Sequence, residues 1–221
     1  FAALKNTTAG SSILEILFVV GCVLISEWLT PVFFGKNWIA GAAPACVALA
    51  FIVISQISKG EIARDLGWRA DNFFEAIAIL LLPTLAASLF LIAIGYYFDS
   101  LRIADVTLGW PLFWTGFGLV VWGLVQQYPL QAFINRRAQG IWGKGTRSIL
   151  FVASIFALLH LPNFWLVAAT FFGGLMWAYV YQRVPNLWAL ALAHAVMTAV
   201  LVMTVPYTAL HGLRVGYNYF W

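Results

Sequence analysis

The stretch LVQQYPLQAF, residues 124–133, sets Gln126, Gln127 and Gln131 in an otherwise apolar run. Two histidines occupy later apolar runs: His160 ends FALLH, and His194 lies in LAHAVMT. Amides and imidazoles are costly to bury in hydrocarbon without partners, so inside a membrane span they are functional candidates by default. Imidazole is the commonest metal ligand, and two histidines on neighbouring helices can hold one ion, zinc for example. Two neutral histidines bonded to helix carbonyls would leave the same trace in sequence. Thr198 follows His194 by four residues and shares its helical face, where its hydroxyl could meet a ligand or a substrate oxygen. Gln127 and Gln131 share a face in the same way, with Gln126 rotated away by about 100°. Glutamates at 126 and 127 would complete a hydrolytic set of two carboxylates and two histidines, with a carboxylate as general base and a metal or histidine polarising water. Amides keep the shape but carry no charge and take up no proton usefully. They still join helices through hydrogen bonds worth about 0.6 to 2 kcal/mol each.

These residues need membrane helices to position them. The 221-residue chain is 63% hydrophobic and only 9% charged, against about 25% charged in soluble domains. That composition specifies an all-α, polytopic transmembrane bundle, and 11 tryptophans supply interfacial anchors. Seven segments approach the length of about 20 apolar residues that a span needs: 13–34, 38–57, 73–98, 111–134, 148–161, 163–181 and 187–205. An eighth is expected if a helix precedes Phe1. The fifth is short and runs into the sixth through HLPN, where Pro162 forces a break. On the N-terminal side lie Lys5, Lys59, Arg64, Arg69, Arg136, Arg137, Lys144, Arg147 and Arg183; on the other lie only Lys36, Arg102 and Arg214. The positive-inside rule puts the N-terminus in the cytoplasm. Other polar residues within or near spans are Glu15, Glu27, Glu75 and Asn163. Asp65, Asp71, Arg64 and Arg69 form a solvated loop with local ion pairs, and Cys22 and Cys46 read as small packing residues. The charge of +4 fits basic loops of a membrane protein rather than nucleic-acid binding.

The order and intervals of QQYPLQ, FALLH and HAVMT resemble the CPBP family of intramembrane proteases, which includes the type II CAAX prenyl proteases and bacteriocin-processing proteins. The family pattern is Glu-Glu-x-x-x-Arg, then Phe-x-x-x-His, then His-x-x-x-Asn or another polar residue. LGWRADNF (66–73) and YQRVPNLWALALAHA are similar to segments flanking these motifs, so the resemblance spans about 60–205, within a single transmembrane domain of 1–221. It implies that position 126 activates water together with His160, that 127 and 131 support the site, and that His194 and Thr198 bind the metal or stabilise an oxyanion. In this chain all three charged positions of the first motif are Gln, and the last polar residue is Thr. Losing Glu and Arg together avoids a single unpaired buried charge, which would cost about 3 to 5 kcal/mol.

Two functions follow as expectations. One is a catalytically degenerate pseudoprotease that serves as an accessory or structural subunit of a membrane complex, in a bilayer of the bacterial inner-membrane type. The other is an active metal-dependent endopeptidase that cleaves a membrane-embedded or prenylated substrate with His160, His194 and another acid. Glu27 and Glu75 are candidates for that acid, although both read as interfacial. Transport has less support, because no repeat symmetry or charged pathway is visible.

Overall fold

A computed structural model describes residues 9–102 and 110–221, without the side chains of Trp110 and Pro111. Its described residues form helices and connecting turns. The main helices are α1 (Ala9–Phe34), α2 (Trp38–Ser58), α3 (Phe73–Tyr97), α4 (Trp110–Gln127), α5 (Thr146–Leu158), α6 (Phe164–Arg183) and α7 (Leu187–Thr204). Each of the seven expected segments falls on one of them. Five, namely α1, α2, α3, α6 and α7, are long and apolar enough to cross a membrane. The chain is an integral membrane protein by this length and apolarity, and large side chains such as Phe74, Leu82, Phe90, Phe113 and Trp122 face outward, where lipid covers them.

Local chemistry sets the helix ends. Asn37, Asn163 and Asn186 cap α2, α6 and α7, each accepting backbone N–H bonds on its side-chain oxygen. α5 stops at Leu158, and His160, Leu161 and Pro162 form a turn rather than a continued helix. Asn163 also donates to the carbonyls of Leu210 (2.7 Å) and Arg214 (3.2 Å), which ties the C-terminal turns to the start of α6. Asn163 is therefore a cap and an anchor.

Pro129 carries no N–H, so the helix loses one backbone hydrogen bond there and its ring crowds the preceding turn. The chain responds with a wide, π-helical segment, Tyr128–Asn135, between α4 and the short helix Arg136–Trp142. Gln56 of α2 donates to the Ala132 carbonyl in this segment at 2.9 Å and accepts from the Tyr128 hydroxyl at 2.7 Å. Such side-chain bonds make irregular backbone tolerable inside a membrane.

Of the basic residues assigned to the N-terminal side, Lys59, Arg64, Arg69, Arg136, Arg137 and Lys144 meet at one end of the bundle; Lys5 lies outside the described residues. Arg137, 1% exposed, donates to Glu15 (2.6 Å) and to both oxygens of Glu61 (2.9 and 3.2 Å), while Lys59 also pairs with Glu15. Glu15, a candidate from its place in the first span, thus belongs to an ion-pair cluster joining α1, the end of α2 and the helix after α4. Arg64 and Arg69 both pair with Asp71 in the exposed loop after α2.

Candidate functional site

The site rests on two close helix contacts. Gly123 of α4 faces Ala191 of α7 so tightly that a Cβ at Gly123 would stand 2.8 Å from the Ala191 carbonyl oxygen. One turn further along each helix, the Gln127 amide nitrogen meets Nδ1 of His194 at 3.1 Å. Gln127 is completely buried and His194 is 6% exposed. The second contact joins α5 and α6, where Gly174 packs on Ala153. It brings Phe156 and Trp177 over the histidines. The Phe156 ring lies 4.8 Å from His160 and 6.1 Å from His194, so both imidazoles flank it. Trp177 stacks on His194 at 4.6 Å with an interplanar angle of 7°.

Sequence reasoning missed Trp177. A usable signal precedes it: an added Cβ at Gly173 would sit 2.9 Å from the indole, so the glycine makes room for that ring.

Gln131, also fully buried, accepts from the Asn135 amide at 2.7 Å. Asn135 in turn accepts from Gln139 (3.1 Å) and from Gln182 of α6 (2.9 Å), and Gln182 donates to Ser148 of α5 (2.9 Å). The Gln131 position thus opens a neutral ladder of amides that ties α5, α6 and the π-helical segment together. Four buried atoms around the site have no hydrogen-bond partner among the described residues: the acceptors Oε1 of Gln126 and Oε1 of Gln127, and the donors Nε2 of Gln131 and Nε1 of Trp177. Buried polar groups are nearly always partnered, so these atoms are the unused hydrogen-bonding capacity of the site.

The six sequence candidates do not converge equally. Gln127 and His194 touch. His160 sits across Phe156, and its Nδ1–H donates to the Phe156 carbonyl at 2.7 Å. Gln126 is half-buried and forms no hydrogen bond with His160. Thr198 is half-buried one turn beyond His194 and, among the described residues, bonds to neither histidine. Glu75 lies in the first turn of α3. Glu27 packs beside the C-terminal turn at Gly216. No described carboxylate hydrogen-bonds to either histidine or to the three glutamines.

The donors can be tested against a metal. With the Gln127 amide donating to Nδ1, neutral His194 carries its proton on Nε2. The pair then offers one basic nitrogen, Nε2 of His160. No group of three His, Cys, Asp or Glu is gathered among the described residues. Catalytic zinc takes three protein ligands, so this donor set does not fit it. In place of an acid and base, the site has a neutral, packed cluster of amides and imidazoles against Phe156 and Trp177.

A comparison with curated proteins and another with solved structures find no match. Family models do find one, described as Type II CAAX prenyl endopeptidase Rce1-like, over residues 108–200. The resemblance in the motifs therefore holds over residues 108–200: this stretch, which carries all six candidate positions, matches the Rce1-like type II CAAX prenyl endopeptidases of the CPBP family.

Proposed function

We propose that this chain is a pseudoprotease of the CPBP type, a membrane protein that keeps the protease framework as an accessory or structural subunit of a membrane complex. The observation that carries the reading is the Gln127–His194 contact. At the position where the family pattern has a glutamate, an amide holds the histidine. An amide has no basic lone pair for the proton of an attacking water, so the general-base step lacks its acceptor. Three described carboxylates are committed elsewhere, Glu15 and Glu61 to Arg137 and Asp71 to Arg64 and Arg69, while Glu27 lies beside Gly216 and Glu75 in the first turn of α3. The cluster still carries buried hydrogen-bonding atoms against two aromatic rings, which suits a framework kept for packing and partner contacts rather than for cutting. We place the N-terminus and the basic end in the cytoplasm, in a membrane of the bacterial inner type, from the distribution of Lys and Arg.

The second reading, a zinc-dependent endopeptidase acting on a prenylated or membrane-embedded substrate, is favoured by one observation, the two histidines flanking a single phenylalanine ring. It would require the Gln127 amide to turn, so that Oε1 accepts from Nδ1–H and frees Nε2 of His194. It would also require a ligand from beyond the described residues.

The test is to purify the chain in mild detergent, count zinc and other transition metals per polypeptide, and assay cleavage of a prenylated CAAX peptide, with His160→Ala in parallel. The proposal expects no stoichiometric metal and no cleavage by either protein. About one zinc per chain, with cleavage abolished in the variant, would refute it.

A further inference from the structure

At the end of the bundle away from the Arg137 cluster, a cavity of about 440 Å³ lies between α1, the turn after it and the C-terminal turns. Proteins hold small ligands in cavities of about 300 to 1,000 Å³. Its charged lining has both signs: Glu27 on α1, Lys36 in the turn and Arg214 in the C-terminal segment, with Asn218 and Trp221 beside them. Glu27 sits in a wide, π-helical turn of α1, Ile25–Leu29. Pro31 has no N–H to offer the Glu27 carbonyl four residues before it, so the regular ladder fails there. Single π-helical turns of this kind are frequent at functional sites. Gly216, at φ 57°, packs on this turn so closely that a Cβ would stand 2.8 Å from the Glu27 Cβ. Its N–H donates to the Leu161 carbonyl at 2.8 Å, and Asn163 donates to the Arg214 carbonyl, so the wall that carries Arg214 is held in place. Among the described residues, the Glu27 carboxylate and the Lys36 ammonium form no ion pair or hydrogen bond, although both line the cavity. The Arg214 guanidinium donates to the Trp221 carbonyl, which uses one of its five N–H groups.

We propose that this cavity binds a group carrying a primary ammonium and a phosphate together, and that this group is the headgroup of an ethanolamine phospholipid. The ammonium donates to the Glu27 carboxylate, and the phosphate accepts from Lys36 and from the remaining N–H groups of Arg214, all charge-assisted bonds. The two signs on the lining set the selectivity. A purely anionic headgroup meets Glu27 as a like charge, and the methylated nitrogen of choline has no N–H for the carboxylate. The surroundings point to a lipid rather than a soluble zwitterion. Phe33, Phe34 and Trp38, on either side of the Lys36 turn, and Trp221 on the cavity wall are all exposed. Aromatic rings of this kind sit at headgroup level and offer the attached chains an apolar surface. An occupied cavity ties α1 to the C-terminal turns and, through the Gly216–Leu161 bond, steadies the turn that carries His160.

The experiment measures the thermal unfolding of the detergent-purified full chain during titration with short-chain phosphatidylethanolamine, phosphatidylglycerol or phosphatidylcholine, or with soluble phosphoethanolamine. A ligand that binds only the folded chain raises Tm as it saturates. The expected result is a saturable rise with phosphatidylethanolamine and little with the other two lipids. Glu27→Gln should weaken the apparent affinity for phosphatidylethanolamine about tenfold and bring it close to that for phosphatidylglycerol. Lys36→Gln/Arg214→Gln should weaken it by at least as much; if that double variant does not fold, Lys36→Gln alone is read. Glu75→Gln, which removes an acid at the opposite end, should leave it unchanged. No rise with any lipid, equal responses to phosphatidylethanolamine and phosphatidylglycerol, or equal effects of Glu27→Gln and Glu75→Gln would overturn the proposal. Saturation by phosphoethanolamine with phosphatidylethanolamine inactive would overturn the assignment to lipid.

Discussion

Gly123→Ala probes the contact that builds the site. The new methyl group would stand 2.8 Å from the Ala191 carbonyl oxygen and 3.2 Å from the Ala191 Cα, both backbone atoms that cannot rotate away. Ordinary contact begins at 3.4 Å, so the shortfall at the oxygen is about 0.6 Å. α4 and α7 must separate by roughly that amount, and the 3.1 Å bond one turn away would stretch beyond hydrogen-bonding range. Overpacking of this kind costs about 1 to 3 kcal/mol, and the lost interhelical bond adds about 0.6. Gly118, on the same helix, has nothing within 4 Å of an added Cβ. There the same substitution should stabilise the helix by up to about 1 kcal/mol, because alanine restricts the unfolded chain. The two variants therefore have opposite predicted signs. Thermal unfolding in detergent reads the stability. The ring nitrogens of His194, one of three histidines in the chain, report the local bond by nitrogen NMR, with His194→Gln assigning the signal. A Gly123→Ala protein as stable as Gly118→Ala, with unshifted His194 nitrogens, would refute the claim that this contact positions the site.

Arg137→Ala should destabilise the chain by about 3 to 5 kcal/mol, because Glu61, its side chain 1% exposed, keeps only Arg136 as an ion-pair partner. Chemical unfolding measures this, and Arg137→Ala combined with Glu61→Gln should recover part of the loss. Gln127→Glu places an acid against His194 without changing side-chain volume. The acceptor carboxylate replaces the donor amide, so the His194 nitrogen NMR signals should shift, and unchanged signals would show that the two side chains do not meet.

Sequence was informative about the elements because hydropathy and capping are local. Runs of apolar residues marked all seven helices, and Pro162 marked the break after α5. The side to which Arg64, Arg69, Arg136, Arg137 and Lys144 belong was legible for the same reason, since loop charge is counted along the chain. Motif order pointed to the stretch that the family match covers. The pairings were not legible. Gln126 and Gln127 are neighbours in sequence, yet only Gln127 reaches His194, because the approach of Gly123 to Ala191 turns that one face of α4 inward. Glu15 read as an isolated acid in a span, and Arg137 as one more loop cation. Burial made them partners, through Glu61, by bringing α1, the end of α2 and the helix after α4 together. Trp177 looked like one of 11 interfacial anchors, and only the packing of α5 on α6 set its indole on an imidazole. The sequence by itself determined a membrane bundle, its spans and the neutral character of the motif, since these depend on residue type and local spacing. Which amide meets which histidine, and which charge meets which in the Arg137 cluster, was decided by the tertiary structure, because those contacts join residues 44 to 122 positions apart that only helix packing brings within hydrogen-bond reach.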